Sequence, residues 1–450
     1  MKTKILISIA LILGTSLTIQ AQSPTISEAV KENIKFRVDN GVNTGIVVGI
    51  VTPEGTEYFS YGVKSLKTNE LVDENSVFEI GSISKTFTGL LLADMVEKGE
   101  LNLDDPLQSI LPEGITAPTR NGESIKLYQL STHTSSLPRI PSNLIMENPA
   151  NPYADYTEKQ MYHFLNNYEL TRDIGSELEY SNYAVGLLGH LLAAKHEITY
   201  EELLMQSITK PIGMDNTRIN LTSKMKENLA KGHNGGIEVE NWDLPTLAGA
   251  GGIRSTAVDM IKYISANLNL EKSSLSSAIQ ITHQNIDNEL VGLGWFIMEK
   301  EEDTIIWHGG LTGGYATFSG FSKNQNIGVI VLSNSVANID DIGMHILDSA
   351  TELITPKLYT VVEVDDSILE NYVGDYELVP GFILSITKEG SQLSAQATGQ
   401  GINPIFPESE KRFFLKIVDA QIEFNLDEKG EVESLTLFQA GQEIVGKKLE

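Results

Sequence analysis

Residues 46–52, Ile-Val-Val-Gly-Ile-Val-Thr, and 57–63, Glu-Tyr-Phe-Ser-Tyr-Gly-Val, are rich in β-branched and aromatic positions and flank Pro53-Glu54-Gly55-Thr56. That pattern predicts two antiparallel strands joined by a hairpin turn. From about 83 to 270 the apolar positions recur at helical spacing, over Thr86–Lys98, Glu158–Asn167, Ala184–Ala194, Tyr200–Ser207 and Thr256–Asn267. Gly99 is placed to stop the first of these helices. Strand character returns at Gly292–Met298, Thr304–Trp307, Tyr315–Phe321 and Ile327–Ser333, and Ile339–Ile354 reads as a closing helix. The two ends are therefore expected to build one antiparallel sheet around a helical insertion, an α/β arrangement.

Pro356 falls in an expected linker, 356–365. Beyond 366 the chain carries short alternating runs at Phe382–Thr387, Leu393–Thr398, Phe413–Val418, Gln421–Leu426 and Ser434–Gln439. These predict a separate small antiparallel β domain or barrel over 366–450. No fixed-period repeat and no low-complexity tract interrupts the chain.

At the N-terminus, Met1-Lys2-Thr3-Lys4, an apolar run Ile5–Leu13 and a small-residue end at Ala21 have the layout of a signal peptide over 1–21. The apolar run is shorter than the roughly 20 residues a bilayer span requires, so export to the periplasm or medium is expected rather than a membrane anchor. The expected mature domain is then 22–355. Losing Lys2 and Lys4 takes Lys+Arg from 33 to 31 against 60 acids, so the net charge moves from -27 to -29. Such a surface repels nucleic acid and anionic headgroups. With no cysteine, neither disulfides nor thiolate metal sites can form.

A nucleophilic serine needs a neighbour that removes its proton, and a lysine three positions on shares its helix face. Ser82-Ile83-Ser84-Lys85 supplies the pair, but so do Ser207/Lys210, Ser223/Lys226 and Ser385/Lys388. Only Ser82 has the strand, Gly81 turn and helix setting in which backbone N–H groups favour negative charge on oxygen. Alone, it would read as a helix-capping serine beside a solvated lysine.

Phe78-Glu79-Ile80-Gly81-Ser82-Ile83-Ser84-Lys85 resembles the nucleophile signature of class C β-lactamases and related D-Ala-D-Ala peptidases and esterases. Tyr180-Ser181-Asn182 and His308-Gly309-Gly310-Leu311-Thr312-Gly313-Gly314 resemble the family's second and third elements. Its order is also kept by His133-Thr134-Ser135-Ser136-Leu137-Pro138, Pro211-Ile212-Gly213-Met214 and Ala250-Gly251-Gly252-Ile253-Arg254-Ser255-Thr256. The resemblance spans about 30–350. It implies a β-lactamase/transpeptidase-like fold, with an antiparallel sheet flanked by helices and a helical subdomain.

By that resemblance Ser82 is acylated, and Lys85 and Tyr180 share the general-base and general-acid roles in an order left open. Asn182 orients substrate, while Gly310 and the N–H groups of Ser82 and Leu311 shape an oxyanion hole. His308 either polarises Tyr180 or meets the leaving side of the substrate. Class C enzymes usually carry Lys-Thr-Gly where this chain has His308-Gly309-Gly310, the form of related peptidases and esterases. A histidine is mostly neutral near pH 7, so recognition of a substrate carboxylate is expected to be weaker or pH-dependent.

The implied substrate is a small molecule or peptide, namely a β-lactam, a D-amino acid peptide or an ester, with no cofactor and no metal. The activity is that of a β-lactamase or D-Ala-D-Ala-type peptidase. A carboxylesterase, a D-aminopeptidase and a penicillin-binding sensor without turnover are the alternatives. The other histidines, His133, His163, His190, His196, His233 and His283 among them, lack metal-ligand spacing and read as core or surface residues. Gly249-Ala250-Gly251-Gly252 lacks a phosphate-loop continuation and reads as a turn packed on the sheet.

Overall fold

The computed structural model describes residues 25–286, 290–418, 420–439 and 441–449. The expected signal peptide lies outside them. Strands β1 (Gly45–Thr52) and β2 (Gly55–Gly62) form the expected hairpin, with Thr52 opposite Gly55 across the turn. They join β3 (Phe296–Glu299), β4 (Thr304–Leu311), β5 (Ala316–Ser322) and β6 (Ile327–Ser333) in one antiparallel sheet of order β2-β1-β6-β5-β4-β3. The first hairpin and the last strand meet in register, Val48 opposite Val331, so the chain's two ends close around the helical insertion. β1 is buried along almost its whole length, in keeping with its β-branched residues on either side of Gly49.

One face of the sheet is covered by helix α1 (Glu28–Asp39), which the hydrophobic pattern does not predict, and by a helix at Asp340–Leu347. Arg37 of α1 donates to Asp341 Oδ2 at 2.6 Å and to the Ile354 carbonyl at 2.8 Å. The other face packs on a helix at Ala257–Asn267, whose Ile261 and Ile264 lie against Gly49 and Gly328 of the sheet. Helix α2 (Ser84–Glu97) packs among other helices and is buried at twelve of its fourteen residues. Beside it runs α3 (Asn182–Lys195), capped by Ser181 Oγ on the Ala184 N–H at 2.9 Å.

Two expected elements are shorter than their patterns. The expected strand over 292–298 begins only at Phe296, because Leu293 and Gly294 press their backbone on α2. A Cβ on Gly89 would stand 2.2 Å from the Leu293 carbonyl oxygen, and one on Gly294 2.4 Å from that of Lys85. The closing helix ends at Leu347 rather than Ile354. There Asp348 takes the Ala350 N–H in a side-chain turn, and Ile354 is drawn away to donate to Asp341.

After a helix at Asp366–Tyr372, eight antiparallel strands from Gly374 to Lys448 close into a barrel, completed where Tyr376 pairs with Lys448. Its core gathers around Tyr372 and Phe424, stacked at 4.0 Å, with Phe413 edge-on. The barrel touches the first unit at the turn of a short hairpin, His233–Asn234 with Ile237–Glu238. Asn403 accepts from Asn234 Nδ2 at 3.1 Å, and Phe406 lies where any Cβ on Gly235 would come within 2.6 Å of its ring.

Candidate active site

The strand Val77–Glu79 leads through a single 3-10 turn, Gly81–Ile83, into α2. Gly81 takes φ +51°, and a Cβ there would stand 2.8 Å from the Leu311 nitrogen at the end of β4. A Cβ on Gly310 would likewise stand 2.2 Å from the Ile80 carbonyl oxygen. Only glycine allows both close approaches, and they bring the Ser82 turn against the His308-Gly309-Gly310-Leu311 segment.

Lys85 Nζ lies 3.0 Å from Ser82 Oγ and donates to the Ala250 carbonyl at 2.6 Å. Lys85 has no exposed surface, and burial together with the Arg139 charge holds its amine well below the ordinary lysine range. The Ala250 carbonyl, unforeseen in the sequence, belongs to a short helical turn at Ala248–Gly251. That turn packs between α2 and α3 rather than on the sheet, and Thr88 Oγ1 holds its Gly249 carbonyl at 2.8 Å. Of the other Ser/Lys pairs, Lys210, Ser223 and Lys226 are exposed. Ser385 and Lys388 lie on a strand, where residues three apart face opposite sides.

The Tyr180 phenol is a hydrogen-bond partner of Ser82, and burial pushes its pKa up. Its ring is packed on several sides, with His133 at 4.4 Å, Lys85 Nζ at 4.8 Å and the Arg139 guanidinium at 5.0 Å from the ring centre. His133, which the sequence reading left among core or surface histidines, is therefore a wall of this site. It takes φ +63° and accepts the Ser181 N–H at Nδ1, 3.2 Å away. Asn182, at the first turn of α3, hydrogen-bonds to Tyr153. Both line the cleft that opens on Ser82, with Trp242, Leu244, Leu311 and Thr312.

His308 is buried, 6.2 Å ring to ring from Tyr180 and 5.1 Å from Phe296. Its Nδ1 contacts the Gly309 carbonyl at 2.6 Å, which assigns the proton to Nδ1 and leaves Nε2 as an unpartnered acceptor. Burial, aided by the Lys85 charge, pushes its pKa down to about 3. The imidazole thus stays neutral throughout the neutral range and supplies no cation at this position.

Glu79 stands three residues before the serine, in the same motif. Its Oε1 accepts from Asn241 Nδ2 at 2.8 Å, the Trp242 N–H at 2.9 Å and Arg254 Nη2 at 3.3 Å, and Arg254 also reaches Asp243 at 2.8 Å. This network ties the 241–243 loop to the nucleophile strand and seats Trp242 on Gly313, where a Cβ would come 2.5 Å from the indole nitrogen.

A family model described as Beta-lactamase matches residues 30–347. The chain belongs to the beta-lactamase family and is a serine hydrolase. It is 30% identical over 316 residues to the D-alanyl-D-alanine-carboxypeptidase/endopeptidase AmpH of Escherichia coli (strain K12), a match covering 65% of this chain and 80% of that protein. It is 26% identical over 423 residues to Penicillin-binding protein 4* of Bacillus subtilis (strain 168), covering 86% of this chain and 90% of that one. A solved beta-lactamase/D-alanine carboxypeptidase from Pseudomonas syringae shares the fold, with a TM-score of 0.63 at 20% identity over 72% of this chain and 98% of the other. A second family model, described as a Domain of unknown function (DUF3471), matches residues 359–448, the barrel and its approach.

Proposed function

We propose that the chain hydrolyses a β-lactam or a D-Ala-D-Ala-type peptide bond through an acyl-Ser82 intermediate. The observation that carries this reading is the 3.0 Å contact between Ser82 Oγ and a lysine amine held low by burial. A neutral Lys85 takes the Ser82 proton as the oxygen attacks the substrate carbonyl carbon. Tyr180, whose phenol is held protonated, suits the acid role and passes a proton to the departing nitrogen, while Lys85 returns one to the phenol. The Ser82 and Leu311 N–H groups, with Gly310 allowing the approach, receive the oxyanion. Asn182 orients the substrate, and water then releases the acyl group.

We take residues 22–355 as the hydrolase domain, 356–365 as linker and 366–450 as the barrel domain, exported after loss of 1–21. Among the described residues no helix is long and apolar enough to cross a membrane. A carboxylesterase is the second reading, favoured by one observation. His308 is neutral at the position where class C enzymes hold a lysine, and a neutral ester needs no cation there.

Intact-mass spectrometry after mixing with benzylpenicillin tests the proposal. The native protein should gain one penicilloyl group, lasting or quickly cleared with ring-opened product, and Ser82→Ala should gain none. No adduct and no turnover would move the assignment to an esterase.

A further inference from the structure

With His308 neutral, a substrate carboxylate must find its cation elsewhere, and one lies over the Tyr180 ring. The Arg139 backbone is locked on the first turn of α3, its carbonyl accepting from the Asn182 N–H at 2.9 Å and the Tyr183 N–H at 3.3 Å. Its side chain is exposed and lies 5.0 Å from the centre of the Tyr180 ring, whose hydroxyl is bonded to Ser82. Among the described residues no carboxylate stands within ion-pair distance of it. The other charges nearby are already taken, since Arg254 holds Glu79 and Asp243. In a chain carrying twenty-seven excess negative charges, a guanidinium left without a partner beside a nucleophile is a specific arrangement.

We propose that Arg139 binds the carboxylate of the substrate, taking the part of the missing lysine of the third motif from its place over the Tyr180 ring. A guanidinium resting on an aromatic ring keeps its planar fork free for a carboxylate, a pairing that ammonium groups reproduce poorly. The substrate class is then an acyl compound with a free carboxylate near the scissile bond, such as a penicillin or a peptide ending in a D-amino acid, in preference to a neutral ester. This deepens the acyl-Ser82 reading and rests on it.

The test compares kcat/KM for a chromogenic cephalosporin and for its methyl ester, on native protein, Arg139→Gln, Arg139→Lys and Ser82→Ala. Arg139→Gln should lower kcat/KM for the carboxylate form by about 10- to 100-fold, mainly through KM, and change the methyl ester by less than about threefold. Arg139→Lys should recover part of the loss. The acid limb of the pH–rate profile should move up in Arg139→Gln, whose lost charge helped to hold Lys85 low, and stay in place in Arg139→Lys, so the two compounds are compared on the plateau above it. Equal losses on both compounds there, or a native protein that treats the two alike, would overturn the proposal. The first would make Arg139 a positioning residue acting through Lys85 and Tyr180. Turnover surviving in Ser82→Ala would instead remove the acyl-Ser82 reading beneath it.

Discussion

The unit from Ile26 to Leu347 buries Lys85, His308, Glu79, Arg254 and the Arg37–Asp341 pair, whereas the barrel surrounds Tyr372 and Phe424 with Leu, Ile and Phe. Among its described polar residues the barrel buries only Gln421. Burying an ionisable group is unfavourable, and the first unit accepts that in order to hold an amine and an imidazole uncharged beside Ser82. The barrel makes no such concession, and its interior serves packing alone. Stability and chemistry should therefore separate cleanly between the two.

The largest expected effect is on chemistry. Lys85→Met should cut kcat/KM by about 10³- to 10⁴-fold, as loss of a general base does. It should not lower the melting temperature, because it replaces a buried polar amine by an apolar side chain of similar volume. A variant that melts early but acylates normally would reverse the contrast. Next in size, Phe424→Ala should destabilise the barrel by about 3–5 kcal/mol, as large-to-small changes in packed aromatic cores do. Acylation of Ser82 in that variant should stay within about threefold, since distant sites act independently. Chemical denaturation and intact mass would check the two halves.

The pH response sharpens the same division. Activity should rise with pH as Lys85 loses its proton, and its lowered pKa places that rise below the ordinary lysine range. His308 lies lower in the folded than in the unfolded chain, so the unfolded state binds the extra proton between about pH 6.5 and 3. Its burial therefore costs stability progressively as pH falls through that window. His308→Gln should melt less acid-sensitively there without moving the activity limb. The smallest effect should come from the contact between the units. Phe406→Ala frees the Gly235 turn, and KM for a bulky substrate should change by about two- to threefold with kcat unaltered, the size of a perturbation of about 0.5 kcal/mol.

The contact between Ser82 and Lys85 was legible because its geometry is local: the two are one helical turn apart after a glycine turn. The strands β1, β2 and β6 were legible because their apolar runs are long and bounded by turn residues. The Ala250 carbonyl on Lys85 and the link from Glu79 to Arg254 were not, because each joins residues more than 160 positions apart. His133 is buried, in keeping with a core or surface reading, but its contact with Tyr180 was not legible for the same reason. In the barrel, Phe382–Glu389 and Ala420–Leu426 alternate clearly, while Gly374–Val379 and Gln442–Lys448 are more polar and went unread. Closure depends on those two pairing with each other, which periodicity within a strand does not report.

That closure decides how anything could attach to the C-terminal unit. An open sheet can recruit a partner by lending its edge to an incoming strand, but a ring of eight paired strands has no edge to lend. A protein or glycan bound there would have to be recognised by side chains at the rim or the outer wall. Its affinity would then track individual substitutions, and backbone mimicry by an extended peptide would fail to compete.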